Sequence, residues 1–122
     1  MSTLYIIEKQ LGHVQRYTSQ LKKKKKAHTN HELKQLRDKM QSIYESYAVE
    51  IQNGAFESSS VDATLSLDLI RFIREDAKHM LKKTKNDFDR ELELFNTIYI
   101  ADRLIELINR VWEPKRGQRK CM

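Results

Sequence analysis

Apolar residues recur along this chain at alternating spacings of three and four, the period of an amphipathic helix. From Thr3 to about Lys26 the set Leu4, Ile7, Leu11, Val14, Thr18 and Leu21 forms one such stripe, with Gly12 a mild interior cost. A second stripe, Leu33, Leu36, Met40, Ile43, Tyr47 and Ile51, follows Thr29-Asn30-His31-Glu32. Those four residues match a capping box, in which the threonine hydroxyl and the glutamate carboxylate each serve a backbone N–H of the first turn. Asn53-Gly54 supplies a left-handed stop, so the second helix is predicted over about 29–53. The short polar connection makes the first two helices an antiparallel hairpin.

After the loop at 54–61, Val61, Ala63, Leu65, Leu67 and Leu69 alternate as a strand would. A lone strand has no partner, and from Ile70 through Ile73, Ala77 and Met80 the period is helical, so helix is predicted from Asp62 or Ser66. That face fails at Thr84, while Phe88, Leu92, Phe95 and Tyr99 open a new one. An unbroken helix over 62–112 would run roughly 76 Å at 1.5 Å per residue, far beyond the reach of the first two. A break near 83–87 is therefore expected, with Asn86 or Asp87 starting a fresh helix. The last helix is the most apolar. Leu94, Ile98, Ala101, Ile105, Ile108 and Trp112 form its predicted stripe, and Leu104, Leu107 and Val111 widen it. Either it is the centre of the bundle or part of it is an interface.

These elements define an all-α fold: a small antiparallel bundle of three to four helices, at about 3–26, 29–53, 62–84 and 87–112, with a dimer as a further expectation. One domain is expected over 1–113, followed by a basic tail over 114–122. The 122 residues suit one core, and 3 Gly with 1 Pro are too few for the turns of a sandwich or barrel. The single cysteine, Cys121, rules out an internal disulfide and paired-cysteine zinc sites. No apolar run approaches the length of a membrane span, and the first residues do not read as a signal peptide. An intracellular protein, cytoplasmic or nuclear, is expected, with peripheral membrane contact a weaker alternative.

The net charge of +6 is unevenly spread. Residues 1–26 carry +6 through Lys9, Arg16 and Lys22, Lys23, Lys24, Lys25 and Lys26 against Glu8. Residues 114–122 carry +4 through Lys115, Arg116, Arg119 and Lys120, and the intervening body carries −4. Two basic clusters on an acidic body are what an anion-binding site requires. They are also what solvated helix ends look like, since cations suit a helix C-terminus. Because the aromatics lie on helical faces, contact with phosphates and duplex shape is expected without base readout.

Other constellations carry less. His28 and His31 are at most half a metal site, and neighbouring lysines would repel a cation. Acidic residues at the start of the last helix favour the positive end of its dipole. Arg74-Glu75-Asp76-Ala77-Lys78-His79 sets an arginine and a histidine apart by four residues. That spacing resembles the short motif of the HEPN family, helical-bundle ribonucleases, and the resemblance implies phosphodiester chemistry at Arg74 and His79. It covers six residues lying mid-helix between the apolar pairs Ile70/Ile73 and Met80/Leu81. The expected function is non-enzymatic, with no metal or cofactor: sequence-nonspecific binding of nucleic-acid backbone, RNA slightly ahead of DNA, through Lys9, Arg16, Lys22 to Lys26 and the tail. The alternative is a protein–protein adaptor or assembly subunit, self-associating or joined to another protein, with Phe95, Tyr99 and Trp112 as anchors on the last helix.

Overall fold

A computed structural model describes residues 3–24, 29–54 and 62–112. It contains four helices: α1 (Thr3–Lys23), α2 (Asn30–Gln52), α3 (Thr64–Lys83) and α4 (Phe88–Val111). No strand occurs among the described residues, so the alternation around Leu65 and Leu67 belongs to the first turn of α3. The break before α4 is built from two local devices. Asn86 takes a left-handed φ of 58°, and Asp87 caps the new helix by accepting from the Arg90 N–H at 3.2 Å. At the start of α2 the capping box is complete, Thr29 Oγ1 accepting from Glu32 N at 3.0 Å and Glu32 Oε1 from Thr29 N at 2.9 Å. Gly54, at φ 81°, supplies the left-handed residue beyond α2. Asp62 accepts from Thr64 N at 2.9 Å ahead of α3.

α1 ends at Lys23, short of the expected Lys26. Lys24 N donates to Leu21 O at 3.2 Å, a tightened final turn that takes Lys24 out of the helix. Five consecutive like charges after Leu21 give the helix no reason to continue.

α1 packs on α2 and α3, and α4 packs on the same two, so α1 stands diagonally across the core from α4, and α2 from α3. Side-chain bonds give the directions. Tyr17 near the end of α1 meets Glu32 at the start of α2, an antiparallel pair. Glu8 meets Ser66, and Lys22 meets Asp76, so α1 and α3 run parallel. Arg37 meets Glu93 and Tyr44 meets Arg103, so α2 and α4 also run parallel. The chain thus runs up, down, up, down, and the connection from α2 to α3 joins diagonal corners.

The predicted stripes of α1 and α2 are buried apart from Leu4 and Ile51, which are half-buried. On α4 the buried set is Leu94, Thr97, Ile100, Ala101, Leu104 and Ile108. Ile98 and Ile105, expected on the stripe, lie at its edge. The helix is rotated because it must face α2 and α3 together, and Thr97 tolerates burial by donating its hydroxyl to Glu93 O at 2.9 Å. No helix among the described residues is long and apolar enough to cross a membrane.

Polar groups fix the register at both ends of the core. Ser66, 1% exposed, bonds to the hydroxyl of Tyr47 across the α2–α3 diagonal and donates to Glu8 Oε2 at 2.7 Å. Burial pushes the Tyr47 phenol well above its ordinary value. At the other end Asp76, 6% exposed, accepts from Ser19 Oγ at 2.9 Å and pairs with Lys22 Nζ at 2.9 Å. Replacing Ser66 with Ala removes a partner shared by three helices and is expected to cost about 1–3 kcal/mol. A urea midpoint unchanged by Ser66→Ala would show that this contact does not hold the core.

Candidate nucleic-acid interface

The two sequence clusters have separate fates. Lys22 turns toward α3 and its charge is spent on Asp76. Lys24 pairs with Glu32 at 2.7 Å and so ties the end of α1 to the cap of α2. Lys25, Lys26, Lys115, Arg116, Arg119 and Lys120 lie outside the described residues, as do His28 and Cys121. The last described residue, Trp112, is at the pole opposite Lys22–Lys24, because α4 runs antiparallel to α1.

Lys9, Arg16 and Lys23 form a separate group. They are spaced by seven, which returns to nearly the same helical angle, and all three are exposed on the outer face of α1. Successive members are therefore about 10 Å apart along the axis. Beside this line a groove of about 590 Å³ opens between α1 and α2. Its walls carry Arg16, His13, Tyr17 and Gln20 from α1 and Lys39 and Gln35 from α2, and no carboxylate lines it. Arg16 Nη2 donates to His13 Nδ1 at 3.1 Å, and the Lys39 ammonium lies 5.9 Å from the centre of the Tyr17 ring. Among the described residues none of Lys9, Arg16, Lys23 and Lys39 forms an ion pair with a carboxylate. Tyr17 braces the groove floor, its hydroxyl donating to Glu32 O at 3.2 Å. Burial, and then the Glu32 charge, raise its pKa.

The fold adds cations that local sequence reading did not connect to the first cluster. Because α1 and α3 run parallel, Lys82 and Lys83 in the last turn of α3 share a pole with Lys22–Lys24, and Lys85 follows in the α3–α4 connection. Two helix C-termini side by side concentrate partial negative charge, which these lysines offset. Lys82, Lys83 and Lys85 are all exposed. The groove residues Lys39 and His13 were also missed. The heptad spacing of Lys9, Arg16 and Lys23 was a readable signal, whereas Lys39 and the α3 lysines needed the topology.

The remaining candidates are placed as follows. Trp112, named as a surface anchor, is only 8% exposed and packs into the core, whereas Phe95 and Tyr99 stand out at 57% and 59%. Arg74 pairs with Asp102 at 3.0 Å and lies 3.4 Å from Glu75, so its guanidinium joins α3 to α4. His79 is exposed on the outer face of α3. Among the described residues no three His, Cys, Asp or Glu side chains are grouped to hold a metal ion. Comparison with protein-family models, with curated proteins and with solved structures gives no match. The class defined by fold and surface is a four-helix bundle with a carboxylate-free basic groove on its α1–α2 side.

The Lys24–Glu32 pair has a pH signature. The hydrogen bond from Lys24, and then that from the Thr29 backbone N–H, hold the Glu32 carboxyl below its ordinary range. A carboxylate with a depressed folded pKa contributes stability that is present above its ordinary value and lost as pH falls through the folded one. Lys24→Gln should bring the Glu32 pKa back toward the ordinary range and shrink that acid-side loss. Carboxyl titration by NMR reads the first change, and urea midpoints at neutral and acid pH read the second.

Proposed function

We propose that the protein binds nucleic acid without enzymatic action, holding the phosphate backbone against the α1–α2 groove and the adjoining lysine-rich pole. The observation that carries this reading is a groove bearing Arg16, Lys39 and His13 with no lining carboxylate, flanked by Lys9 and Lys23. Cations left unpaired on one face of a chain whose middle is acidic are free to displace counterions from a polyanion. The groove's polar walls supply hydrogen-bond donors for phosphate oxygens, Gln20 and Gln35 through their amides and Arg16 through its planar fork. Tyr17 is half-buried against α2, so it is not a free platform for base stacking, and recognition rests on charge and shape. RNA is placed slightly ahead of DNA as the polyanion.

A second reading, a protein–protein adaptor or assembly subunit, is supported by the exposed line Phe88, Leu92, Phe95 and Tyr99 on α4.

The test is binding of labelled single-stranded RNA, double-stranded RNA and duplex DNA over a salt series. The triple change Lys9→Gln, Arg16→Gln and Lys39→Gln should weaken binding by at least tenfold at low salt. It should also flatten the slope of log affinity against log salt by roughly 2 to 3, the loss of three phosphate contacts. Lys22→Gln with Lys24→Gln removes two cations already committed to Asp76 and Glu32, and should lower stability more than affinity. Absence of binding by the unaltered protein at low salt would retire the reading.

A further inference from the structure

We propose that two copies of this chain pair through α4, antiparallel about a twofold axis, with Phe95 of each copy at the centre of the contact. This is independent of the nucleic-acid reading, because it uses the face of the bundle diagonally opposite α1.

Phe88, Leu92, Phe95 and Tyr99 are spaced by four, three and four, which puts them in one line along the helix. The line points directly away from the core: Leu94, Ala101 and Ile108 are fully buried on the other side. The four are 73%, 44%, 57% and 59% exposed. Side chains of this size expose roughly 150–250 Å² each, so the line presents on the order of 450 Å² of largely apolar surface. That is near the upper size of patch a monomer ordinarily leaves in water. Two such lines, with their flanks, bury about 1,000 Å² in all, the lower end of what a specific pairing needs. A concentration-dependent dimer follows, weaker than an obligate one.

Charge placement selects a second copy as the occupant and sets its direction. Asp89 follows Phe88 by one residue and Arg103 follows Tyr99 by four, so both border the line on its α2 side. Both are exposed. Neither has an oppositely charged partner among the described residues; Arg103 instead donates to the hydroxyls of Tyr99 at 2.9 Å and Tyr44 at 3.0 Å. A twofold axis across the helix reverses its direction but keeps this flank on the same side. When Leu92 stacks on Tyr99 of the second copy, Phe95 lies beside its own counterpart, and Asp89 comes next to Arg103 of the second copy. The contact is made twice by symmetry, as a self-complementary patch requires. Phe88, the most exposed of the four, then lies against the same arginine. On the other flank Glu91 and Asp102 carry negative charge, and that of Asp102 is offset by Arg74.

Sedimentation equilibrium of the full chain without nucleic acid, over a wide concentration range, tests the pairing. The unaltered protein should pass from monomer to dimer. Phe95→Glu, at an exposed position, should keep the helical circular dichroism and weaken pairing at least tenfold. Asp89→Arg alone and Arg103→Asp alone should each weaken it, and the two together should restore it. A monomer at every concentration would overturn the proposal, and so would a dimer indifferent to Phe95→Glu. Failure of the double exchange to recover pairing would overturn the antiparallel arrangement.

Discussion

The hydroxyl of Ser66 stands between the phenol of Tyr47 and the carboxylate of Glu8, and through that oxygen α1, α2 and α3 share one register. Apolar stripes at three-and-four spacing are permissive: sliding one helix by a turn replaces one Leu or Ile by another at modest cost. A buried hydroxyl is not permissive, because a displaced partner leaves a polar atom without a bond at about 1–3 kcal/mol. Asp76, with Ser19 and Lys22, applies the same constraint at the far end of the α1–α3 pair. Two polar fixings, some ten residues apart along parallel helices, define both direction and register where hydrophobic burial alone would not.

That constraint decides which cations remain available. Lys22 is drawn inward by Asp76 because α1 and α3 are held parallel, and Lys24 is drawn across by the cap of α2. Both are structural ties: without Lys22 the buried Asp76 carboxylate loses its cation, and Lys24 joins the end of α1 to the cap of α2. The positions seven apart along α1 meet no acid, since the neighbouring α2 wall offers glutamine, serine and lysine instead. The basic character of the groove is thus a product of packing as much as of composition.

Much of the architecture was legible in residue spacing. Thr29 with Glu32, Gly54, and the polar stretch ending at Asp87 each mark a boundary through local chemistry that acts within a few residues. The faces of α1 and α2 were readable because each has a single narrow stripe. On α4 the reading slipped, since apolar residues cover most of its circumference and periodicity cannot say which of them faces inward. Thr97 and Ile100 are buried, whereas Ile98 and Ile105, expected on the stripe, lie at its edge. Trp112, expected on that stripe and also weighed as a partner anchor, is buried and closes the core. The site was less legible than the fold. A run of lysines is conspicuous in one dimension, but whether each charge is free depends on acids some 8 to 54 residues away, at Glu32 and Asp76.

The diagonal placement of α1 and α4 has a consequence for stoichiometry. Whatever occupies the outer face of one helix is screened by the whole bundle from whatever occupies the other, so neither occupant competes for space with its opposite. In a pair joined back to back through α4, the two α1 faces look outward in opposing directions. Such an assembly cannot close around a single strand from both sides. Because the twofold keeps both α2 flanks on one side, the α1–α2 grooves of such a pair would open toward that shared side, where one long polyanion would reach both.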